Sequence, residues 1–220
     1  MNKIVIYTAI SGRFDLLPSL RNPPANIDFV CYTTEPEIKS KGVWNVVRVP
    51  KIDKNPAKTA KHYKILSHKY FPEYEISMWI DANISTRGDL NKIIAAEIKD
   101  SVFSCYKHPS GGRGPYVEAK RCLSLHKGIP ANLNRQMDAY RAEGVPADML
   151  LPATGVLIRR VNDEKVIEFE DIWWQQLSLY SCRDQISFCY AIWKTGLEWK
   201  AITTDKHDLF NLGTHKNRRK

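Results

Sequence analysis

Residues 75–84 read Glu-Ile-Ser-Met-Trp-Ile-Asp-Ala-Asn-Ile, an apolar run whose apolar content ends on a carboxylate. A run of this length, closed by turn-forming Asp and Asn, reads as a strand. Pleating puts Trp79 and Asp81 on one face of that strand and Ile80 on the other. In open α/β sheets ligands collect beyond the carboxyl ends of the strands, where Asp81 is expected. An acidic residue there, with the oxygen-bearing Asn83 two positions on, would hold a divalent cation that bridges a diphosphate. Mg²⁺ and Mn²⁺ take hard oxygen ligands, and one or two protein carboxylates suffice when phosphates supply the rest. Asp and Asn also punctuate strand ends without any metal, and the triplet alone does not choose.

Working outward, Lys3 to Ile10 is a short β-branched run stopped by Ser11-Gly12, and Asp28 to Thr34 and Trp44 to Val49 repeat the pattern. A helix is expected from about Ala57 to Phe71, entered through Asn55-Pro56, with Ala57, Ala60, Ile65, Leu66 and Tyr70 toward the core. A second helix from about Asp89 to Ile98 and a strand at Ser101 to Lys107 follow. Further on, helical stretches at roughly 117–126, 132–143, 163–180 and 184–194 are interrupted by a strand at Gly155 to Arg160. Strands separated by helices imply an α/β sheet with crossover connections, largely parallel in its first half. The expected organisation is one domain over residues 1–213 and a basic tail over 214–220.

With 43% hydrophobic and 26% charged residues in 220, wholesale disorder, collagen and coiled coil are excluded. No run of about eighteen apolar residues is present to span a bilayer. The opening Met-Asn-Lys-Ile-Val-Ile-Tyr lacks a long apolar region and is not expected to be a signal peptide. Five scattered cysteines with no C-x-x-C spacing speak for reduced thiols and a cytoplasmic setting. The net charge of +9, from 33 basic and 24 acidic residues, predicts an anionic partner. Nucleic acid, a phosphate-bearing small molecule and an acidic membrane face all satisfy that condition. A basic nucleic-acid-binding protein is the rival from another class, but its positive charges are spread along the chain without a zinc-finger, RNP or homeodomain pattern. No nucleic-acid partner is therefore expected.

Three stretches carry a more specific signal: Asn55-Pro56-Ala57-Lys58-Thr59-Ala60-Lys61, His68-Lys69-Tyr70-Phe71-Pro72, and Met78-Trp79-Ile80-Asp81-Ala82-Asn83. Together with Tyr7 to Asp15 near the start and Arg183-Asp184-Gln185-Ile186-Ser187-Phe188 near the end, they resemble the TOD1/MUCI70 glycosyltransferase-like family. The resemblance implies a single-domain GT-A-like fold: a Rossmann-like, mixed and mainly parallel sheet flanked by helices, with a helix-rich C-terminal half. It also implies a nucleoside-diphosphate sugar donor, a hydroxyl acceptor on a glycan, lipid-linked sugar or polysaccharide, and a D-x-D-type site for Mn²⁺ or Mg²⁺. Asn83 departs from that motif, so a degenerate fold that binds a nucleotide sugar without turnover stays open. The basic surface would suit peripheral contact with an anionic membrane.

Within that frame, Thr8, Ala9 and Arg13 of the opening loop would receive the nucleotide, Arg13 through its planar donor fork. Arg13 serves equally as a solvated turn residue beside Gly12. Lys58, Lys61 and Lys64 fall on one helical arc, and Lys61 is singled out for the donor diphosphate because it sits inside the matched stretch. A charge run of this kind is otherwise a solvated helix face. Asp184 reads as an N-cap or, from the resemblance, as the catalytic carboxylate near the anomeric carbon, a base if the reaction inverts and a stabiliser if it retains. His215 would return to the metal beside Asp81 and Asn83, preferred over His207, and Lys216 to the diphosphate. The glycine-rich stretch 108–115 fits neither a Walker loop nor a dinucleotide fingerprint. It is expected to be a flexible segment near the acceptor, with His108, Arg113 and Glu118 as its polar groups. Trp173, Trp174, Phe169 and Tyr180 are expected in the core.

Overall fold

The computed structural model describes residues 3–12, 15–109, 114–203 and 210–212. Among the described residues seven strands form the main sheet: β1 (Ile4–Ile10), β2 (Ile27–Thr33), β3 (Trp44–Arg48), β4 (Ile76–Ile80), β6 (Phe103–Lys107), β7 (Pro152–Arg160) and β8 (Lys200–Ala201). Their order is β3-β2-β1-β4-β7-β6-β8, and β7 runs against all the others. A small second sheet pairs β5 (Ile84–Thr86) with β9 (Phe210–Leu212), antiparallel. The expected mixed, mainly parallel sheet flanked by helices is what forms.

One face of the sheet carries Val5, Tyr7, Trp79 and Phe103 and is covered by α1 (Pro56–Ile65), α6 (Glu164–Leu179) and α7 (Asp184–Thr195). The other carries Ile6, Phe29, Met78 and Ile158 and is covered by α3 (Leu90–Ile98). Two more helices, α4 (Gly114–Ser124) and α5 (Pro130–Glu143), close a third cluster with α7 around Leu133, Tyr140 and Ile186. Among the described residues no helix is long and apolar enough to cross a membrane. Helix starts follow local chemistry: Asn55, Asp89 and Asp163 each cap a first turn with a side-chain oxygen. Gly114, at φ +68°, is required for a second reason. A Cβ there would lie 2.2 Å from the Ala147 carbonyl oxygen.

Two expected elements divide. The single helix over 57–71 is α1 followed by the four-residue α2 (Ser67–Tyr70), broken at Leu66. The cause is a buried ion pair inserted into the helical ladder. Arg159 and Glu170, both 0% exposed, lie 2.8 Å apart. Arg159 donates to the carbonyls of Lys64 (3.1 Å) and Ile65 (3.2 Å), while Glu170 accepts from the His68 backbone N–H (3.2 Å) and from Ser67 Oγ (2.6 Å). Groups that would bond each other in a continuous helix are thereby taken from the side. The Tyr7 hydroxyl adds a 2.8 Å bond to the Lys64 carbonyl and itself accepts from Arg159. The buried side of α1 consequently falls on Thr59, Tyr63, Lys64 and Ile65, and the expected Ala57 is exposed.

The strand expected over 75–84 also divides, because the Ile84 N–H returns to the Asp81 carbonyl at 2.8 Å and turns the chain out of the main sheet. Trp173 and Phe169 are fully buried as expected, whereas Trp174 and Tyr180 are only partly so.

Removing one partner of the buried pair leaves an uncompensated charge. Arg159→Met is therefore expected to lose about 3–5 kcal/mol in urea unfolding. Arg141→Ala, which breaks an exposed pair with Asp138, should cost less than about 1 kcal/mol. Equal small losses in both would show that the pair does not organise the helix break.

Candidate functional site

The carboxyl ends of β1 and β4 open into a cavity of about 730 Å³. Its wall takes Ala9 and Ser11 from β1 and the residue after it, Asp81 from the turn after β4, and Lys61 and Lys64 from α1. Thr154 and Gly155 of β7 and Arg183, Asp184 and Gln185 at the start of α7 complete the far side. Gly155 matters for the close approach: a Cβ there would sit 3.3 Å from Asp81 Oδ2 and press on the carboxylate.

Four charged side chains form the floor. Lys64 Nζ lies 2.8 Å from Asp184 Oδ2 and 3.3 Å from Asp81 Oδ1, and Lys61 Nζ lies 2.9 Å from Asp184 Oδ1. Lys61 also donates to the Cys182 carbonyl. Thr154 donates to Asp184 Oδ2 at 2.9 Å, and the Trp79 indole N–H donates to Asp81 Oδ1 at 2.7 Å. Lys64 is 3% exposed and Asp184 6%. Burial by itself pushes the Asp184 carboxyl up, but the ammonium groups of Lys61 and Lys64 outweigh it and hold the group well below the usual carboxylate range. Burial likewise works against a charged Lys64, and Asp184 and Asp81 outweigh it, leaving this ammonium above the ordinary lysine value. Two ammonium groups thus balance two carboxylates.

The structure brings together Ala9, Lys61, Asp81, His108 and Asp184 from the expected set, all on the cavity wall. The other expected residues that are described lie off the cavity wall. Thr8 is fully buried outside the lining, because alternation along β1 turns it from the face that carries Tyr7 and Ala9. Asn83 sits in the turn after β4 and is absent from the lining, which passes from Asp81 and Ala82 to Ile84. Glu118 is buried on α4, where it accepts from the Cys122 thiol at 3.3 Å and lies 3.5 Å from Arg183. It supports a wall residue and does not itself reach the cavity. Asp184 is the first residue of α7 and Arg183 occupies the cap position without a side-chain cap bond, so the N-cap reading fails. Arg13, Arg113, His207, His215 and Lys216 lie outside the described residues, as does the tail 214–220.

Sequence reasoning passed over Lys64 in favour of Lys61, and it missed Thr154 and Arg183. The available signal for Lys64 was its position between Tyr63 and Ile65-Leu66, an apolar setting unusual for a solvated lysine. Lys58, the third member of the arc, turns to Asp53 (3.1 Å) and the Ser178 carbonyl (3.1 Å).

Sequence comparison decides the family. The profile described as TOD1/MUCI70, glycosyltransferase-like domain, matches residues 30–217. The chain belongs to this family. It is 28% identical over 160 residues to the Arabidopsis thaliana protein named "Probable hexosyltransferase MUCI70", covering 68% of this chain and 27% of that protein. It is 26% identical over 166 residues to "Alkaline ceramidase TOD1" of Arabidopsis thaliana, covering 68% of this chain and 35% of that protein. The chain thus spans roughly a quarter to a third of these relatives' length. The apo structure of the bifunctional glycosyltransferase WbbM matches with a TM-score of 0.51 at 10% identity, over 91% of this chain and 38% of that one. The shared architecture is the GT-A-like fold.

The family's fold implies a divalent cation, and the donor set tests that implication. Among the described residues no group of three His, Cys, Asp or Glu side chains converges. Asp81 Oδ1 is already held by an ammonium and an indole N–H, and both oxygens of Asp184 accept from lysines. A divalent ion on Asp81 Oδ1 would sit beside the Lys64 ammonium, and the two positive charges repel each other. These residues, as arranged, do not fit the ion.

The charge cluster sets a pH window. Asp184, depressed in the fold, contributes stability above the unfolded carboxylate value that is lost as pH falls through its folded value. Lys64, raised in the fold, contributes below the unfolded lysine value and loses that contribution as pH rises through its folded value. Stability is expected to be level between about pH 5 and pH 9 on this account. Asp184→Asn should lose about 3–5 kcal/mol near neutrality, and the gap from the parent should shrink below about pH 4. A gap that is constant with pH in chemical denaturation would contradict the assignment.

Proposed function

We propose that this chain is a glycosyltransferase that binds a nucleoside-diphosphate sugar in the cavity at the end of β1 and β4. The observation that carries the reading is the pair Lys61 and Lys64, which project into a roomy cavity at the carboxyl ends of parallel strands. Family membership and the shared fold support it. An ammonium has three N–H donors. Among the described residues Lys61 has bonds to Asp184 and Cys182, and Lys64 to Asp184 and Asp81. One donor on each remains for a phosphate oxygen.

In the reaction, the bond from the anomeric carbon to the diphosphate oxygen breaks with its electron pair leaving on oxygen. A bond to the acceptor hydroxyl oxygen forms, and the hydroxyl proton leaves to solvent or a base. The departing diphosphate gathers negative charge, and preoriented ammonium groups stabilise that charge more in the transition state than in the ground state. Asp184, with both oxygens engaged and its proton affinity lowered, is poorly arranged as a general base. Its part in this reading is to aim Lys61 and Lys64. Arg183, also on the wall, would add a guanidinium for the phosphates. The acceptor in this reading is a hydroxyl of a glycan or lipid-linked sugar. Five free cysteines and the +9 charge accord with a reducing compartment and contact with an anionic membrane face.

A thermal-shift screen of UDP-, GDP-, dTDP- and CMP-sugars tests the proposal. A donor present at 100 times its dissociation constant stabilises by about 2.7 kcal/mol, a rise of roughly 5–10 °C for a chain of this size. Lys61→Ala should remove most of that rise. Absence of any shift across the screen, or an undiminished shift in Lys61→Ala, would defeat the reading.

A further inference from the structure

We propose that the Lys64 ammonium is the resident cation of this site, seated between Asp81 and Asp184 where a metal-dependent site would hold a divalent ion. Lys64 Nζ is 2.8 Å from one carboxylate and 3.3 Å from the other, on an almost fully buried side chain, and Trp79 holds Asp81 toward it. Such a position is not the chance rest point of a flexible surface lysine. The backbone beneath it is fixed: Tyr7 and Arg159 both donate to the Lys64 carbonyl, and the helix stops at the next residue, Ile65. A long side chain that leaves a clamped backbone and ends between two carboxylates is built as a counterion.

The charges close without a metal. Asp81 and Asp184 are matched by Lys64 and Lys61, so a divalent ion entering alone meets no net negative charge and one ammonium in its way. Asn83, the second oxygen ligand the sequence offered, is off the cavity wall. The donor site of this chain therefore takes its cation from the side chain of α1. A point charge on a flexible stem serves a phosphate oxygen as an ammonium does in other phosphate sites. This consequence rests on the proposed function, whereas the cation seat itself does not.

The seat is tested with Mn²⁺ alone, followed by the electron paramagnetic resonance signal of the free ion. The parent chain is expected to leave Mn²⁺ free. Lys64→Met empties the seat, leaves the buried Asp184 and the partly exposed Asp81 carboxylates without the ammonium between them, and is expected to bind one Mn²⁺ at least about tenfold more tightly than the parent. Asp81→Asn in the Lys64→Met background should abolish that gain. Mn²⁺ bound by the parent chain and lost in Asp81→Asn would overturn the proposal. So would a folded Lys64→Met chain that gains no Mn²⁺ affinity. If Lys64→Met does not fold, the parent and Asp81→Asn decide: Mn²⁺ left free by both supports the seat, and Mn²⁺ held only by the parent refutes it. Because no nucleotide enters the titration, a failed donor screen sinks the proposed function without touching this result.

Discussion

The contact on which the site depends is the ion pair between Lys64 and Asp184, 2.8 Å long and nearly cut off from water. Burying either charge alone costs several kcal/mol, and mutual attraction offsets this only when the remaining donors and acceptors are also satisfied. Here they are. Asp184 receives Lys61 and Thr154 as well, and Lys64 reaches on to Asp81. Because each group needs the others, the end of β4, the C-terminal half of α1, the start of β7 and the first residue of α7 meet at a common point. Four elements are thereby tied together in one cavity wall.

A second buried network supports the first from below. Arg159 and Glu170 break the helical ladder after Ile65, and in doing so they fix the Lys64 carbonyl and the direction in which its side chain leaves. The layers are therefore ordered: a fully buried pair shapes the helix end, and the helix end aims an ammonium at the ends of the strands. In the proposed reaction, electrostatic preorganisation of this kind would stabilise a departing diphosphate without reorganisation at the moment of reaction. It also explains why the carboxylates converge without offering an empty cation seat.

Much of the architecture is legible in the sequence because it depends on local pattern. The apolar runs at 4–10, 27–33 and 76–80 announce buried strands, and Asn55, Asp89 and Asp163 mark helix starts by capping. Asp81, Lys61 and Asp184 were each visible as residues of the right chemistry. Their meeting was not, since Lys61 and Asp184 are 123 positions apart and no local period encodes that contact. Lys64 was hidden for a related reason: on its own helix it looks like one more solvated charge, and the groups its ammonium meets, Trp79 and Asp81 at the end of β4 and Asp184 at the start of α7, are distant in sequence. The break at Leu66 was invisible because its cause sits at residues 159 and 170. For Asp184 the one-residue difference between cap and first helical position changed the role of the side chain.

The most direct test of the central claim is a double-mutant cycle on stability, using Lys64→Met, Asp184→Asn and the pair together. A buried, mutually compensating pair predicts that each single change is costly and that the second change, made after the first, costs far less. The coupling energy should be about 2 kcal/mol or more. Additive losses, with coupling within about 0.5 kcal/mol of zero, would mean that the two charges do not depend on one another and that the account of the site is wrong.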